Sequence, residues 1–280
     1  MRIDREAAQR TFQEYVNNYD ITKEMIRLKV EHTYRVSALC EQIAESIGLS
    51  KEEVDLAWLI GLLHDIGRFE QQKNFGTFID ADSIDHAKYG EAILFHLEMG
   101  QEAGNTLLDQ SANQSSICIR DFVEEATEDE VIRIAVASHS AYRIPEKLDE
   151  RTAMFCHILR DADKIDILKA NVEFPLEEIY NDTTENIYTG QVAKEVMESF
   201  HEEHAILRSL RKGTVDHIVG HISLVYELVY PISVRIVKEQ GYLKRLMEFA
   251  SWNPITQEQF AVIRTKMTQY LERKSLDECE

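Results

Sequence analysis

Residues 50–67 read SKEEVDLAWLIGLLHDIG. Ser50, followed three residues on by Glu53, is a capping box, so a helix starts there. The stretch from Val54 to Leu63 is apolar save for Asp55. The helix is expected to end near Gly67, where a glycine takes a left-handed cap. The pair His64-Asp65 then stands at the end of an apolar helix. On a regular helix the two side chains diverge by about 100°. A partly unwound end before Gly67 lets both reach one centre.

Working outward, helical periodicity dominates and strand-like alternation is nearly absent. The chain has 11 glycines and only 4 prolines to break it. Upstream, helices are expected over Asp4 to Tyr19 and Thr22 to Ile47. In the second, Met25, Leu28, Val36, Leu39 and Ile43 form one stripe. Downstream, residues 68–82 read as a loop and Ser83 to Met99 as a helix. Gly104 to Glu124 is polar, then mixed. Thr127 to Glu130 is a second capping box, opening a helix to His139, and Pro145 marks a loop. A helix follows over Asp149 to Asn171, with Pro175 soon after. Further helices fit Gln191 to Glu203, Val215 to Tyr230 and Thr256 to Lys274. The fold class is all-α. The simplest partition is an N-terminal helix (1–21), a helical core (22–170) and a helical C-terminal extension (171–280).

Composition narrows the function. Fifty acidic and 31 basic residues leave a formal charge of −19. Such a surface repels phosphate backbones, so no nucleic-acid polymer is expected as a partner. A small anionic substrate is still compatible, because metal ions and a few cations reverse the sign inside one pocket. No run reaches the ~18–20 apolar residues that span a bilayer, and MRIDREAAQR at the start lacks a secretion signal. No membrane association and a cytoplasmic location are the expectations. Cys40, Cys118, Cys156 and Cys279 form no CxxC pair and read as buried thiols.

Five motifs with histidine or aspartate follow in order: KVEHTYRV with His32, GLLHDIGRF with His64 and Asp65, SIDHAKYG with His86, VASHSAYR with His139, and LRDADKID with Asp161. Each lies on a predicted helix or near its end, and a helical bundle points side chains from separate helices at one interior point. Imidazoles and carboxylates suit divalent transition metals.

This order resembles the HD superfamily of metal-dependent phosphohydrolases over about residues 28–170, and it implies a helical HD-domain bundle. The resemblance assigns His32, His64, Asp65 and Asp161 to a first metal. His86 and His139 match the positions that hold a second, with Asp65 as the bridge. One or two divalent ions (Mn, Fe, Ni, Co, Mg or Zn) are the implied cofactor. The implied reaction is hydrolysis of a small phosphorylated molecule, a nucleotide among the options, by a metal-activated water, with Asp65 at the catalytic centre. Arg68 and Lys164 are candidate phosphate clamps, with Arg35 a third. The chain departs from the cyclic-dinucleotide branch, since Ser138-His139-Ser140 offers one histidine. It departs from the alarmone branch, since Arg68-Phe69 replaces an acidic pair. A diiron oxygenase of the same superfamily and a non-catalytic, metal-stabilised sensor are the alternatives. The oligomeric state is left open. His157, one turn before Asp161, is a candidate support for that carboxylate. His217 and His221, four apart, have metal-like spacing without the metalloprotease glutamate. His96, His201 and His204 carry no motif.

Overall fold

The computed structural model describes residues 1–97 and 117–276. Among them there is no strand, so the all-α expectation holds. Residues form two compact units, Met1–Ala162 and Asp163–Glu280.

In the first unit, α1 (Arg5–Val16), α2 (Glu24–Ser46), α3 (Lys51–Leu63), α4 (Ile66–Phe75), α5 (His86–Phe95) and α6 (Asp129–Ser138) follow in order. They lead into α7 (Glu150–Glu173), inside which the division between the units falls. Ser50 and Glu53 close the expected capping box at the start of α3. The one expected at Thr127 does not form, since the N-cap of α6 is Glu128, without a side-chain cap. Helices α2 and α3 approach very closely. A Cβ on Gly61 would stand 2.7 Å from Ser37 Cα, and Ser37 Oγ donates to the Trp58 carbonyl at 2.7 Å. Fully buried Val36, Cys40, Ile43, Leu59 and Leu62 come from these two helices. Each large apolar side chain buried in this way contributes roughly 1.5–3 kcal/mol.

Residues 68–82 are not all loop. Helix α4 continues to Phe75, and the left-handed cap is Gly76 at φ 71°. Gly67 therefore ends nothing. Its hydrogen is required by packing, because a Cβ there would meet the His86 carbonyl oxygen at 2.3 Å and the Gly90 nitrogen at 2.6 Å. The missing side chain lets α4 lie against α5. From the other side, α1 holds α4 in place. Phe12 and Tyr15 meet the buried Phe69 ring edge-on, with centroids 6.0 and 5.8 Å away. The Tyr15 hydroxyl donates to the Ile66 carbonyl at 3.0 Å. His96 caps α5 in the left-handed region. The helix expected over Ser83 to Met99 is thus shorter, His86–Phe95; Met99, the polar stretch 104–116 and Cys279 lie outside the described residues.

The second unit holds the end of α7, then α8 (Leu176–Tyr180), α9 (Thr184–Thr189), α10 (Lys194–His201), α11 (Thr214–Ser223), α12 (Pro231–Gln240), α13 (Tyr242–Met247) and α14 (Pro254–Leu276). The single helix expected over Val215 to Tyr230 stops at Ser223. A 3₁₀ turn, Leu224–Glu227, follows it, and Pro231 opens α12. Helix α11 packs against α9, α10 and α13, and α14 against α10, α12 and α13. Phe200, Val219, Ile222, Phe260, Ile263 and Met267 are fully buried there. Among the described residues no helix is long and apolar enough to cross a membrane.

Candidate metal centre

The pair His64-Asp65 is the joint between two helices. Helix α3 ends at Leu63 and α4 starts at Ile66. Asp65 leaves helical geometry at φ −102°, ψ 16°. This is the local unwinding that two neighbouring side chains need to face one centre, and Asp65 is buried to 2% exposure.

Four imidazoles surround that carboxylate. Oδ2 lies 3.6 Å from Nε2 of both His32 and His64. Oδ1 lies 3.5 Å from His86 Nε2 and 3.7 Å from His139 Nε2. Each oxygen thus faces its own pair of histidines. Within the pairs, Nε2 atoms stand 3.2 Å apart for His32 and His64, and 3.0 Å for His86 and His139.

The opposite ring nitrogens reveal the tautomers. His64 Nδ1 donates to the Gly61 carbonyl at 2.7 Å, and His139 Nδ1 to the Val136 carbonyl at 2.8 Å. His86 Nδ1 donates to both Asp80 oxygens at 2.9 Å. Carbonyls and carboxylates only accept, so in each neutral ring the proton sits on Nδ1. Nε2 is then a lone pair. Burial, with the Arg68 charge adding to it, pushes His86 down to about 3, so this ring is neutral at pH 7. His86 consequently points a lone pair at His139 Nε2, 3.0 Å away. Beside them sits an anion. Burial works to raise the Asp65 pKa, but Lys29, His64, His139 and Arg68 overcome it and hold the carboxyl well below the ordinary range. Converging lone pairs around a carboxylate repel one another unless a cation lies among them. About 3 Å is also the distance between adjacent corners of an octahedron with metal–nitrogen bonds of about 2.1 Å. The donor set fits a divalent metal.

The HD domain model matches residues 30–171, half of the chain. This chain belongs to the HD domain family. No curated protein and no solved structure matches it.

Within this HD domain the structure redistributes some expected roles. Ligand atoms of His32, His64 and Asp163 lie within 4.8 Å of one another, as do those of His64, Asp65 and His139. A distal carboxylate brought to the first histidine pair is that of Asp163, two residues beyond the expected Asp161. Two residues along a helix rotate a side chain by about 200°, so the two aspartates on α7 leave it on nearly opposite sides. Asp161 is fully buried. The motif LRDADKID offers both residues, and only the phase of α7 against its neighbours tells them apart.

The cations also shift. Lys29, the first residue of the KVEHTYRV stretch and given no role there, reaches Asp65 Oδ2 with Nζ at 2.9 Å. It sits one turn before His32 on the same face of α2. Arg68 Nη1 is taken by the Gln71 side chain at 2.8 Å, the Phe78 carbonyl at 2.5 Å and Asp80 Oδ1 at 2.7 Å. Its buried Nε has no hydrogen-bond partner and lies 3.6 Å from Asp65 Oδ1. Asp80 thus links Arg68 to His86. Its own carboxyl is held far below the usual range by His86 and Arg68, against burial, which works to raise it. Lys164 is buried on α7. The Arg35 guanidinium lies 3.7 Å from Glu31 Oε2. His157 is half-buried on α7.

Arg160 fixes the turn after His139. Its guanidinium donates to the carbonyls of Ser138, His139, Ala141 and Tyr142. A cation there satisfies the bare carbonyls at the end of α6 and complements the helix dipole.

Proposed function

We propose that the protein is a metal-dependent phosphohydrolase acting on a small phosphorylated molecule. The observation that carries this reading is the pair of facing Nε2 atoms of His86 and His139 beside the Asp65 carboxylate. His32, His64, Asp65 and Asp163 would hold one metal, and His86, His139 and Asp65 a second, with Asp65 as the bridge. A bound divalent metal supplies a water acidic enough to ionise near neutral pH and a Lewis acid for phosphoryl oxygens.

The chain's own groups do the rest. Asp80 keeps His86 in the Nδ1–H tautomer, so Nε2 stays available. The Gly61 and Val136 carbonyls do the same for His64 and His139. Lys29 holds Asp65 ionised and fixes the direction of Oδ2. Arg68 turns an unsatisfied Nε toward Asp65 and adds positive charge where an anionic substrate would arrive, the main electrostatic demand of phosphoryl transfer. Lys164, next to Asp163 on α7, remains a candidate clamp.

The test is a phosphoester panel with manganese-, iron- and zinc-loaded protein, monitored by phosphate release, beside Asp65→Asn. Release that the variant abolishes supports the reading. Iron retention with substrate-dependent oxygen uptake and no phosphate release would move the protein to the oxygenases. Equal release from variant and wild type would sink the reading.

A further inference from the structure

Helix α11 carries two histidines that the metal centre does not use. His217 and His221 lie four residues apart and share a face with Gly220. Their spacing alone suits a cation, but their neighbours oppose one. Arg211 lays its side chain against α11 at Gly220, where a Cβ would stand 2.5 Å from Nε and 2.7 Å from Cζ. The glycine is the seat of the guanidinium. Nε and Nη2 both donate to the Ile206 carbonyl. Nη1 has no partner among the described residues, and no carboxylate there pairs with this half-buried cation. That is unusual in a chain with 50 acidic residues. The adjacent acid, Asp216, is otherwise engaged. Its Oδ1 accepts from Ala193 N at 2.8 Å, and its Oδ2 from Lys212 N and Gly213 N at 3.0 Å. Arg208 adds a second positive charge that acts on Arg211 and on both histidines.

Tyr180 of α8 completes the cluster. Its ring stacks on those of His217 and His221, with centroids 5.9 and 6.0 Å away. Its hydroxyl lies 2.6 Å from Asn171 Oδ1, which only accepts, so the hydroxyl donates there. It must then accept from His221 Nδ1 at 2.9 Å. His221 Nε2 is left as a lone pair without a partner among the described residues. Burial, with Arg211 the next cause, holds His221 down at about 3 and lowers His217 as well, so His221 is uncharged at neutral pH.

The free donor is cationic and the free acceptor is neutral. A divalent metal beside Arg208 and Arg211 is repelled. An oxyanion that still carries one proton matches both groups: it accepts from Arg211 Nη1 and donates to His221 Nε2. Charge-assisted bonds of this kind are the strong ones. We propose that Arg211, His217, His221 and Tyr180 form a binding site for a phosphate group, either hydrogen phosphate or a phosphomonoester. The site rests on residues of the second unit alone and is independent of the proposed hydrolase activity.

The experiment titrates the full chain, labelled with ¹³C at histidine Cε1, with inorganic phosphate and separately with methyl phosphate at constant ionic strength. His217→Gln and His221→Gln assign the two signals. Saturable shifts of both signals support the site, and whichever titrant binds more tightly identifies the source. Arg211→Gln is expected to weaken binding about tenfold or more, and Arg211→Lys less. Should Arg211→Gln lose its helical circular dichroism, Gly220→Ala takes its place, because its methyl displaces the guanidinium. The proposal falls if no saturable shift occurs below about 100 mM. It falls equally if Arg211→Gln or Gly220→Ala leaves the shifts unchanged, or if zinc alone moves both signals more tightly than phosphate does.

Discussion

His86 with His139, and His217 with His221, are two histidine pairs with opposite surroundings. The first pair faces the Asp65 carboxylate, with Asp80 behind it. The second pair faces the guanidinium of Arg211, with a tyrosine hydroxyl behind it. His86, His139 and His221 each have a hydrogen-bond partner at Nδ1, and His86 and His221 are both pushed down to about 3, by burial first. The ring chemistry is therefore nearly the same. What differs is the sign of the neighbour, and that sign decides whether a cation or an anion is the missing partner.

The largest expected effect comes from removing the first charge. Asp65→Asn removes the carboxylate that faces all four rings. Bound metal measured by elemental analysis should fall below one equivalent, and phosphoester turnover should drop by about 10³-fold or more. Retained metal at wild-type stoichiometry would break the contrast. Asp80→Asn is milder, because it leaves the proposed ligands in place and disturbs the tautomer of His86 and the ion pair with Arg68. Losing such an orienting partner typically costs about 10–100-fold in metal affinity or activity. Metal titration of this variant against His86→Ala separates orientation from ligation, and equal losses would contradict the orienting role.

A glycine pair sharpens the comparison further. At Gly67 a methyl meets backbone atoms of α5, which cannot yield, so Gly67→Ala should destabilise by roughly 1–3 kcal/mol in chemical denaturation. At Gly220 a methyl meets the movable Arg211 side chain. A helical Gly→Ala change also gains up to about 1 kcal/mol, so Gly220→Ala should be near neutral in stability. Equal costs at the two positions would refute this account. The smallest effect is a pH slope at His221. The unfolded imidazole takes a proton below 6.5, whereas native His221 waits until about 3. Between those values the unfolded state holds more protons, so stability falls as pH drops through the window. One such group contributes at most about 1.4 kcal/mol per pH unit. The denaturation midpoint of His221→Gln should fall less steeply with acid than that of the wild type, and parallel slopes would count against the buried neutral ring.

The long helices, the capping box at Ser50 and the unwound joint at His64-Asp65 were legible because each has a local cause. The continuation of α4 was not. Gly67 looks like a cap in sequence, and its true reason is the carbonyl of His86, a distant residue. Helices α8, α9 and α13 span five to six residues, too few turns for a periodic pattern to emerge. Asp80 lies in a polar segment that gives no sign of which ring it will meet. Lys29 had a signal, its spacing of three from His32, but lysines at such spacings are common on helices.

The tautomers at the metal centre have an evolutionary side. Among the acceptors that orient His64, His86 and His139, those at Gly61 and Val136 are main-chain carbonyls. No codon change deletes a carbonyl. Of these three acceptors Asp80 alone is a side chain that a single substitution removes, so for these three rings the mutational fragility of orientation is concentrated there. A lineage could tune the His86 side of the centre through Asp80 while the His64 side stayed out of reach of point mutation.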